Sequence, residues 1–196
     1  MTTPERARPA RAPRADALRN RDRLLAEADR LFAAHGTGAS LEDIAKQAGV
    51  GIGTLYRHFP TREALLDALL QQRFEQLWGR AHEAGSGSPY AALAAWLREA
   101  AGQSTAYRGL PSSIAAALRD TTSHLNTSCQ AVREVGARLL AAAQAAGEVR
   151  TDLDGTDLVL MANSAAWLAQ QDHAEDRLDR HLDVLLAGIR TPRRVE

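Results

Sequence analysis

Apolar residues recur at intervals of three and four positions along most of the chain, which is the spacing of one face of an α-helix. The first such run begins near Asp16 and ends at Gly36, and its apolar members are Leu24, Leu25, Ala28, Leu31 and Phe32. A glycine after the last periodic residue is a common end of a helix. The pattern therefore predicts a first helix over about 16–35.

Two short helices and one longer helix are predicted after the first. The stretch SLED at 40–43 is an N-terminal capping pattern, because a serine hydroxyl can accept a hydrogen bond from the amide three residues on. The helix that it opens ends at Gly49, and a second short helix spans about 52–58. After Pro60, the periodicity predicts a longer helix over about 61–84.

The second half of the chain begins at GSGSP, residues 85–89, which we interpret as a linker. Beyond it the sequence has neither an alternating strand pattern nor an internal repeat. Further helices are predicted at about 90–104, 111–121, 124–146, 156–170 and 175–189. The chain is therefore predicted to be all-α, with about nine helices.

Composition agrees with packed helices, since hydrophobic residues make up 45% of the chain and most of them are Ala or Leu. The single cysteine, Cys129, excludes an internal disulfide. No run approaches the ~20 apolar residues that a membrane span requires, and the N-terminus has no apolar signal core. These features predict a cytoplasmic protein without a membrane partner.

The net charge is zero, but the charges are unevenly distributed. Residues 1–62 contain eleven Lys or Arg and seven Asp or Glu, whereas residues 63–196 contain thirteen and seventeen. A basic first third favours a polyanion as its partner. Residues 1–15, with four arginines and three prolines, are predicted to form a disordered basic arm. This arm either enters a minor groove or stays solvated.

The stretch GVGIGTLYRHF, residues 49–59, allows two interpretations. A dinucleotide-binding loop requires G-x-G-x-x-G directly after a strand. Gly49 and Gly51 have the right spacing, but the third glycine would fall on Thr54, and the preceding segment is predicted to be helical. Register and context therefore exclude a nucleotide-binding loop.

The same stretch fits a helix-turn-helix, in which two short helices cross steeply at a close approach. Ala45 provides the small residue at the crossing, and Gly49 tolerates the left-handed backbone of the turn. Four apolar residues anchor the second helix: Ile44, Val50, Leu55 and Phe59. That helix then presents a largely polar face, which the major groove of DNA can admit.

We predict that this face and the residues flanking it contact DNA. Glycines allow close approach to the duplex, threonine and arginine can bond base edges, and the polar tips of tyrosine and histidine can bond phosphates. The predicted DNA-binding residues are Ser40, Gly51, Ile52, Gly53, Thr54, Tyr56, Arg57, His58 and Arg62. Arg57 is interpreted as either a guanine contact or a phosphate contact.

The stretch SLEDIAKQAGVGIGTLYRHFPTREALLDALL, residues 40–70, resembles the DNA-binding domain of TetR-family transcriptional regulators, chiefly through its LYRHF core at 55–59. Residues 141–160 also resemble an actinobacterial subgroup of that family. The resemblance implies an N-terminal three-helix DNA-binding domain joined to a C-terminal helical bundle that binds a ligand and dimerises. The domain bounds predicted with it are a basic arm (1–15), the helix-turn-helix domain (16–60), a connecting helix (61–84), the bundle (85–190) and a tail (191–196).

The resemblance further implies a homodimer that binds near-palindromic operator DNA and releases it when a small-molecule effector enters the bundle. One departure from the family pattern is 60–62, where many members have a lysine-rich turn, so the basic role falls on Arg62. We therefore predict a ligand-responsive repressor, although the scaffold equally suits an activator. The alternative is a helical ligand-binding or adaptor protein with a vestigial helix-turn-helix.

Two further sets of residues are predicted in the C-terminal half. The first set is predicted to line a ligand pocket, or else to fill the core: Trp96, Tyr107, Leu118, Cys129, Met161 and Trp167. The second set forms apolar faces on the last two helices and is predicted to form the dimer interface: Leu158, Ala162, Ala165, Ala166, Ala169, Leu178, Leu182, Leu185, Leu186 and Ile189. These faces also suit an internal core, and the family layout favours the dimer.

Metal-binding and catalytic interpretations find little support in the sequence. Asp120 and His124 are spaced to share a metal and Cys129 lies on a neighbouring turn, but no third ligand is spaced with the first two. No Ser-His-Asp order, carboxylate pair or zinc signature stands in a recognisable setting. The sequence therefore predicts a protein that is not an enzyme and has no cofactor.

Overall fold

The computed structural model of the protein describes residues 13–81, 87–172 and 176–191. Within these ranges the chain forms nine α-helices, and an isolated antiparallel bridge joins Val149 and Arg190. The helices are α1 (Pro13–His35), α2 (Leu41–Gln47), α3 (Ile52–His58), α4 (Arg62–Ala81), α5 (Pro89–Ser104), α6 (Leu110–Ala117), α7 (His124–Ala145), α8 (Gly155–Asp172) and α9 (Asp176–Ile189). The predicted all-α fold is confirmed.

The helix bounds differ from the predicted ones in two places. α1 begins at Pro13 rather than near Asp16, so the end of the predicted disordered arm is helical. Proline suits the first turn of a helix, where its missing N–H has no partner to lose. α6 ends at Ala117 rather than at 121, because the Asp120 carboxylate accepts hydrogen bonds from the amide and hydroxyl of Thr122 in a local turn.

Some predicted features lie outside the described residues. These are the arm at 1–12, residues 82–86 with part of the GSGSP linker, and the tail beyond 191. The described end of the linker begins α5, because the Ser88 hydroxyl accepts from the Ala91 amide at 3.3 Å and Pro89 occupies the first turn.

The N-terminal helices α1, α2 and α3 share a small core. Leu24 and Phe32 of α1, Ile44 of α2 and Leu55 of α3 are all fully buried in it. α4 packs against α1 on one side and against α7 on the other. This long helix therefore connects the N-terminal unit directly to the bundle.

The C-terminal bundle is built on mutual contacts among α5, α7 and α8, with α6 against α7 and α8, and α9 against α5 and α8. α5 approaches α7 closely because Gly136 leaves room for a ring. A Cβ at Gly136 would lie 2.5 Å from Cη2 of the buried Trp96. None of the described helices is both long enough and apolar enough to cross a membrane.

The faces predicted to form the dimer interface lie mainly in the core of the single chain. Seven of the ten residues are buried within it: Leu158, Ala162, Ala165, Ala166, Leu182, Leu186 and Ile189. Leu178 and Leu185 are half-buried against the same core, and Ala169 is also half-buried. The prediction was wrong for the seven buried residues, because helices of the same chain already cover these faces.

Candidate nucleic-acid interface

The predicted helix-turn-helix is formed by α2, a turn at 48–51 and α3. Ser40 caps α2, since its hydroxyl oxygen accepts from the Asp43 amide at 3.2 Å. Gly49 has φ +66°, the left-handed conformation that the sequence predicted for the turn. The Val50 amide donates to the Ala45 carbonyl at 3.0 Å, so the chain reverses directly over the small residue of α2.

One side of α3 is fixed to the rest of the N-terminal unit. Leu55 is fully buried, and Phe59 is buried immediately after the helix ends. The Arg21 guanidinium of α1 lies over the Phe59 ring, 5.6 Å from its centroid. These contacts set the direction in which the other side of α3 faces solvent.

The solvent-facing side of α3 contains most of the predicted DNA-binding residues. Gly51, Ile52, Gly53, Tyr56 and Arg57 are exposed, and 46% of the Tyr56 surface is accessible. A Cβ added at Gly51 or Gly53 would meet no atom within 4 Å, so packing within the described chain does not require a glycine at either position. The absence of side chains leaves the start of α3 open to close approach by another molecule.

Thr54 and His58 lie at the edges of this exposed side and are half-buried. The His58 ring is tilted against the Phe59 ring at a centroid distance of 6.2 Å. Both side chains therefore border the surface formed by Tyr56 and Arg57.

Arg62 does not join the exposed surface of α3. Its Nη1 donates to the carbonyl oxygens of Thr37 at 2.8 Å and Ala39 at 2.5 Å, and the side chain is half-buried. The guanidinium thereby ties the start of α4 to the loop between α1 and α2. The structure gives Arg62 a role in positioning the backbone, and its direct contact with DNA stays a prediction.

Two family models match the chain. Residues 24–69 match the model of bacterial regulatory proteins of the tetR family, and residues 88–191 match that of the C-terminal domain of SbtR-like transcriptional regulators. The chain belongs to the TetR family. It is therefore a DNA-binding transcriptional regulator, as the LYRHF stretch at 55–59 predicted, and its family consists of proteins that are typically not enzymes.

Three relatives illustrate how far this similarity extends. The TetR regulator SCO0520 of Streptomyces coelicolor is 36% identical, with a TM-score of 0.57 over 87% of this chain and 98% of that one. The HTH-type transcriptional repressor KstR2 of Rhodococcus jostii is 28% identical over 88% of this chain and 92% of its own length. An HTH-type regulator of Staphylococcus aureus is 42% identical over 60 residues, so the chain matches only 32% of that relative's length.

The TetR-family bundle contains a small internal cavity of about 30 Å³, where α4 to α8 meet. Of the residues predicted to line a ligand pocket, Cys129 lies at this cavity. The cavity is otherwise lined by residues that the sequence did not single out: Leu70, Ala100, Ser104, Ile114, Ser128, Val132, Val159 and Asn163, together with Ala162 from the predicted dimer face.

The other five predicted pocket residues lie elsewhere. Trp96 and Tyr107 are buried in the core, while Leu118 and Met161 pack half-buried against it. Trp167 is 46% exposed on α8, so its assignment to an internal pocket was wrong. Helical spacing alone did not show which side of α8 faces the bundle interior.

A polar cluster joins the DNA-binding half to the bundle, and the sequence analysis missed it. The Tyr107 hydroxyl donates to Asp29 Oδ1 at 2.5 Å, and Arg73 Nη2 donates to the same oxygen at 2.7 Å. The Arg73 guanidinium also lies over the Tyr107 ring, 5.1 Å from its centroid. These residues come from α1, α4 and the loop before α6, and no local pattern connects three such distant segments.

The electrostatics of this cluster, which we call the joint of Asp29, Arg73 and Tyr107, favour the charged form of the Asp29 carboxyl. Burial raises the pKa of Asp29, but the hydrogen bonds from Tyr107 and Arg73 and the Arg73 charge outweigh burial and hold that pKa below its ordinary value of 3.8. Burial and the bond to Asp29 raise the pKa of Tyr107, which stays a neutral donor. The joint is therefore a carboxylate held by one cation and one phenol.

Backbone contacts reinforce the same joint. The Thr37 amide donates to the Arg108 carbonyl at 2.8 Å, and a Cβ at Gly36 would lie 2.6 Å from that carbonyl oxygen. On the bundle side, Gln170 of α8 donates to the Tyr107 carbonyl at 2.9 Å. The loop before α6 is thus bonded to the loop that follows α1 on one side and to α8 on the other.

Among the described residues of the bundle, the large apolar side chains that are exposed lie on its last two helices. Leu160, Trp167 and Leu168 of α8 and Val184 of α9 are each more than two-fifths exposed, Val184 most of all at 68%. α8 and α9 pack against each other, so these residues belong to neighbouring helices. The unpartnered apolar surface therefore lies on the helices that the sequence selected, but on different residues.

The histidine and cysteine that suggested a metal do not form a site with Asp120. The Asp120 carboxylate is occupied by Thr122, while Cys129 is buried at the cavity. Burial, together with the nearby Asp67 carboxylate, raises the pKa of the Cys129 thiol to about 11. Among the residues that the structure describes, no three His, Cys, Asp or Glu side chains are grouped to hold a metal ion.

Proposed function

We propose that this TetR-family regulator is a ligand-responsive repressor that binds a near-palindromic operator as a homodimer in the cytoplasm. The observation that carries the proposal is the exposed side of α3, with Tyr56 and Arg57 beside two glycines that packing within the described chain does not require. A helix with a bare start and a polar, basic end is suited to enter a major groove. The similarity to the repressor KstR2 supports repression over activation.

The second copy is proposed to cover Leu160, Trp167, Leu168 and Val184. Leaving a tryptophan and three aliphatic side chains in water is unfavourable, and their placement on two adjacent helices suits a four-helix contact between two copies. A two-fold dimer presents two α3 helices to successive major grooves, about 34–36 Å apart. The operator is then a near-palindrome, since each copy reads the same half-site.

The joint of Asp29, Arg73 and Tyr107 is proposed to carry the response to ligand. Leu70 of α4 and the buried Tyr107 of the loop before α6 border the bundle interior. Arg73 of α4 and Tyr107 both bond to Asp29 of α1. A ligand that moves either element changes the position of α3 relative to the bundle. Coupling of about 1–3 kcal/mol per site suffices to release the operator, because the two sites of a dimer act together.

The DNA-binding part is tested by selecting random double-stranded DNA with the purified full chain at physiological salt. We expect a two-fold-symmetric motif, and Tyr56→Ala is expected to bind the selected operator about tenfold more weakly. Tyr56→Phe isolates the contribution of the hydroxyl. Arg57→Ala tests the contribution of Arg57 to operator binding. Its charge-matched control is Arg119→Ala, since Arg119 is exposed on the C-terminal half.

Binding without any motif, with an affinity that falls steeply as salt rises, contradicts the proposal. The basic N-terminal third would then bind phosphates non-specifically, and the vestigial helix-turn-helix would be the better interpretation. An unchanged operator affinity of Tyr56→Ala excludes Tyr56 as a contact.

The dimer is tested by sedimentation of the wild type, Val184→Arg and Leu18→Arg. Val184 and Leu18 are exposed to similar extents, 68% and 62%, but Leu18 lies on α1. We expect a wild-type dimer, a folded but monomeric Val184→Arg, and a dimeric Leu18→Arg. A monomeric wild type, or a dimer that survives Val184→Arg, overturns the proposed surface.

A further inference from the structure

The internal cavity of the bundle is mostly apolar. Leu70 of α4, Ile114 of α6, Val132 of α7 and Val159 of α8 line it, so four helices contribute aliphatic side chains. Among the residues that the structure describes, no Asp, Glu, Lys, Arg or His side chain lines it. The lining therefore favours an apolar occupant.

Two polar atoms at this cavity have no hydrogen-bond partner within the described part of the chain. The Asn163 side chain is buried, and its Nδ2 donates to the Pro111 carbonyl at 2.9 Å, which leaves Oδ1 unpaired. Ser128 is 4% exposed and its Oγ is also unpaired. Buried polar groups are almost always hydrogen-bonded, and leaving them unpaired disfavours folding. Two such atoms at one cavity point to a molecule that supplies their partners.

The third polar group of the lining, Ser104, differs from these two. Its hydroxyl donates to the Ala100 carbonyl at 3.0 Å within α5, so it requires nothing from the cavity. The Cys129 thiol stays neutral, because burial raises its pKa to about 11. The cavity thus offers one fixed acceptor, Asn163 Oδ1, and one hydroxyl, Ser128 Oγ, among described lining residues that carry no charge, with the Asp67 carboxylate close to Cys129.

We propose that this cavity binds a small, uncharged, mainly apolar molecule with a hydroxyl group, which donates to Asn163 Oδ1 and accepts from Ser128. This inference rests on the proposed ligand-responsive function and names the chemical class of its effector. An anion is disfavoured because none of the described lining residues is a cation that could replace its lost hydration. A pure hydrocarbon leaves both polar atoms unpaired.

The size of the cavity links its occupation to DNA binding. A volume of about 30 Å³ has room for roughly two waters, whereas a cavity of about 150 Å³ is known to hold a benzene ring. A ring-sized ligand must therefore displace the cavity walls. Leu70 lies on α4, and Ile114 lies on the helix that follows the loop bonded to α1. Displacing either wall moves an element that is attached to the DNA-binding half.

The test measures the affinity of the full chain for three ring-sized probes by titration calorimetry. Phenol has a hydroxyl that donates and accepts, anisole only accepts, and toluene does neither. We expect phenol to bind about fivefold to tenfold more tightly than toluene, as one or two gained hydrogen bonds imply, with anisole between them because it accepts from Ser128 but cannot donate to Asn163. Equal affinities for phenol and toluene, or no binding by any probe, overturn the proposal.

Ser128→Ala and Ser104→Ala form a matched pair at the same cavity. Ser128→Ala is expected to weaken phenol binding about fivefold without lowering the melting temperature of the free protein, since the hydroxyl that it removes is unpaired. Ser104→Ala is expected to leave phenol binding unchanged. Unchanged phenol affinity in Ser128→Ala, or an equal loss in both variants, overturns the assignment of Ser128.

The selected operator separates this proposal from the proposed function. If phenol binds with the expected preference for its hydroxyl but leaves operator affinity unchanged, the site is supported and the ligand response is overturned. If the chain selects no operator, the three-probe comparison still decides the cavity by itself. If the chain binds its operator but no probe, the cavity proposal is overturned and DNA recognition is unaffected.

Discussion

Arg57 and Arg62 are both predicted DNA-binding residues and lie five positions apart, but the structure gives them different surroundings. Arg57 is exposed at the end of α3 and makes no hydrogen bond or ion pair with the described part of the chain. Arg62 is half-buried and donates to the carbonyls of Thr37 and Ala39. A basic residue near a DNA-binding helix is therefore not by itself a DNA contact.

Arg62→Lys tests this difference, because it keeps the positive charge but removes the guanidinium whose Nη1 donates to both carbonyls. We expect the free energy of unfolding to fall by about 1–2 kcal/mol, as for the loss of one or two charged hydrogen bonds. Urea denaturation measures the change, and Arg57→Lys is the control whose stability is expected to stay unchanged. A fully stable Arg62→Lys with weakened operator binding would indicate that Arg62 contacts the DNA directly.

At the scale of helices, the packing of α5 against α7 depends on the missing side chain of Gly136. The Trp96 ring lies 2.5 Å from the position that a Cβ would take, and the Trp96 side chain is buried. Gly102 of α5 is the opposite case, since a Cβ there would meet nothing within 4 Å. The same change of Gly to Ala is therefore expected to have opposite effects at the two positions.

Gly136→Ala is expected to lower the free energy of unfolding by about 1–2 kcal/mol, because overpacking outweighs the gain of about 1 kcal/mol in helix propensity. Gly102→Ala is expected to raise it by up to about 1 kcal/mol, since only propensity changes. Thermal melts of both variants measure these changes in stability. Stabilisation by both changes would show that α5 and α7 separate easily at Trp96.

At the scale of the whole molecule, the joint of Asp29, Arg73 and Tyr107 determines how the two halves are held. Its pH dependence follows from Asp29, whose pKa is lower in the folded chain than its ordinary value of 3.8. A carboxyl with a lowered folded pKa stabilises the fold above its unfolded pKa, and this contribution disappears as the pH falls through the folded pKa. The joint is therefore intact near neutrality and weakens only in acid below about pH 3.8.

Asp29→Asn removes the charge and is expected to reduce stability near pH 7, with the deficit shrinking as the pH falls below 3.8. Urea denaturation of wild type and variant over a pH series measures it, and Asp16→Asn, on the same helix, is the control. A deficit that is constant across the series would mean that Asp29 contributes through packing rather than through its charge. We also expect Asp29→Asn to bind the operator but no longer to release it when ligand is added, because the joint is broken.

The sequence by itself determined the elements and the DNA-binding stretch. Helical periodicity, the cap at Ser40 and the glycine at 49 are local signals, and each acts within a few residues of the chain. For the same reason the exposed side of α3 was predicted correctly, since Leu55 and Phe59 fix which side faces inward. Signals of this kind depend only on residues close together in the chain, so they can be interpreted from the sequence without knowing the tertiary structure.

The tertiary structure decided what covers each apolar face. The stripe with Leu182 and Leu186 on α9 has the same spacing whether the chain's own helices or a second copy covers it, and here the chain's own helices do. Likewise, the cavity with Asn163 and the joint at Asp29 bring together residues from distant segments. Periodicity reports which residues share a face of one helix, whereas the partner of that face depends on contacts between elements far apart in the chain.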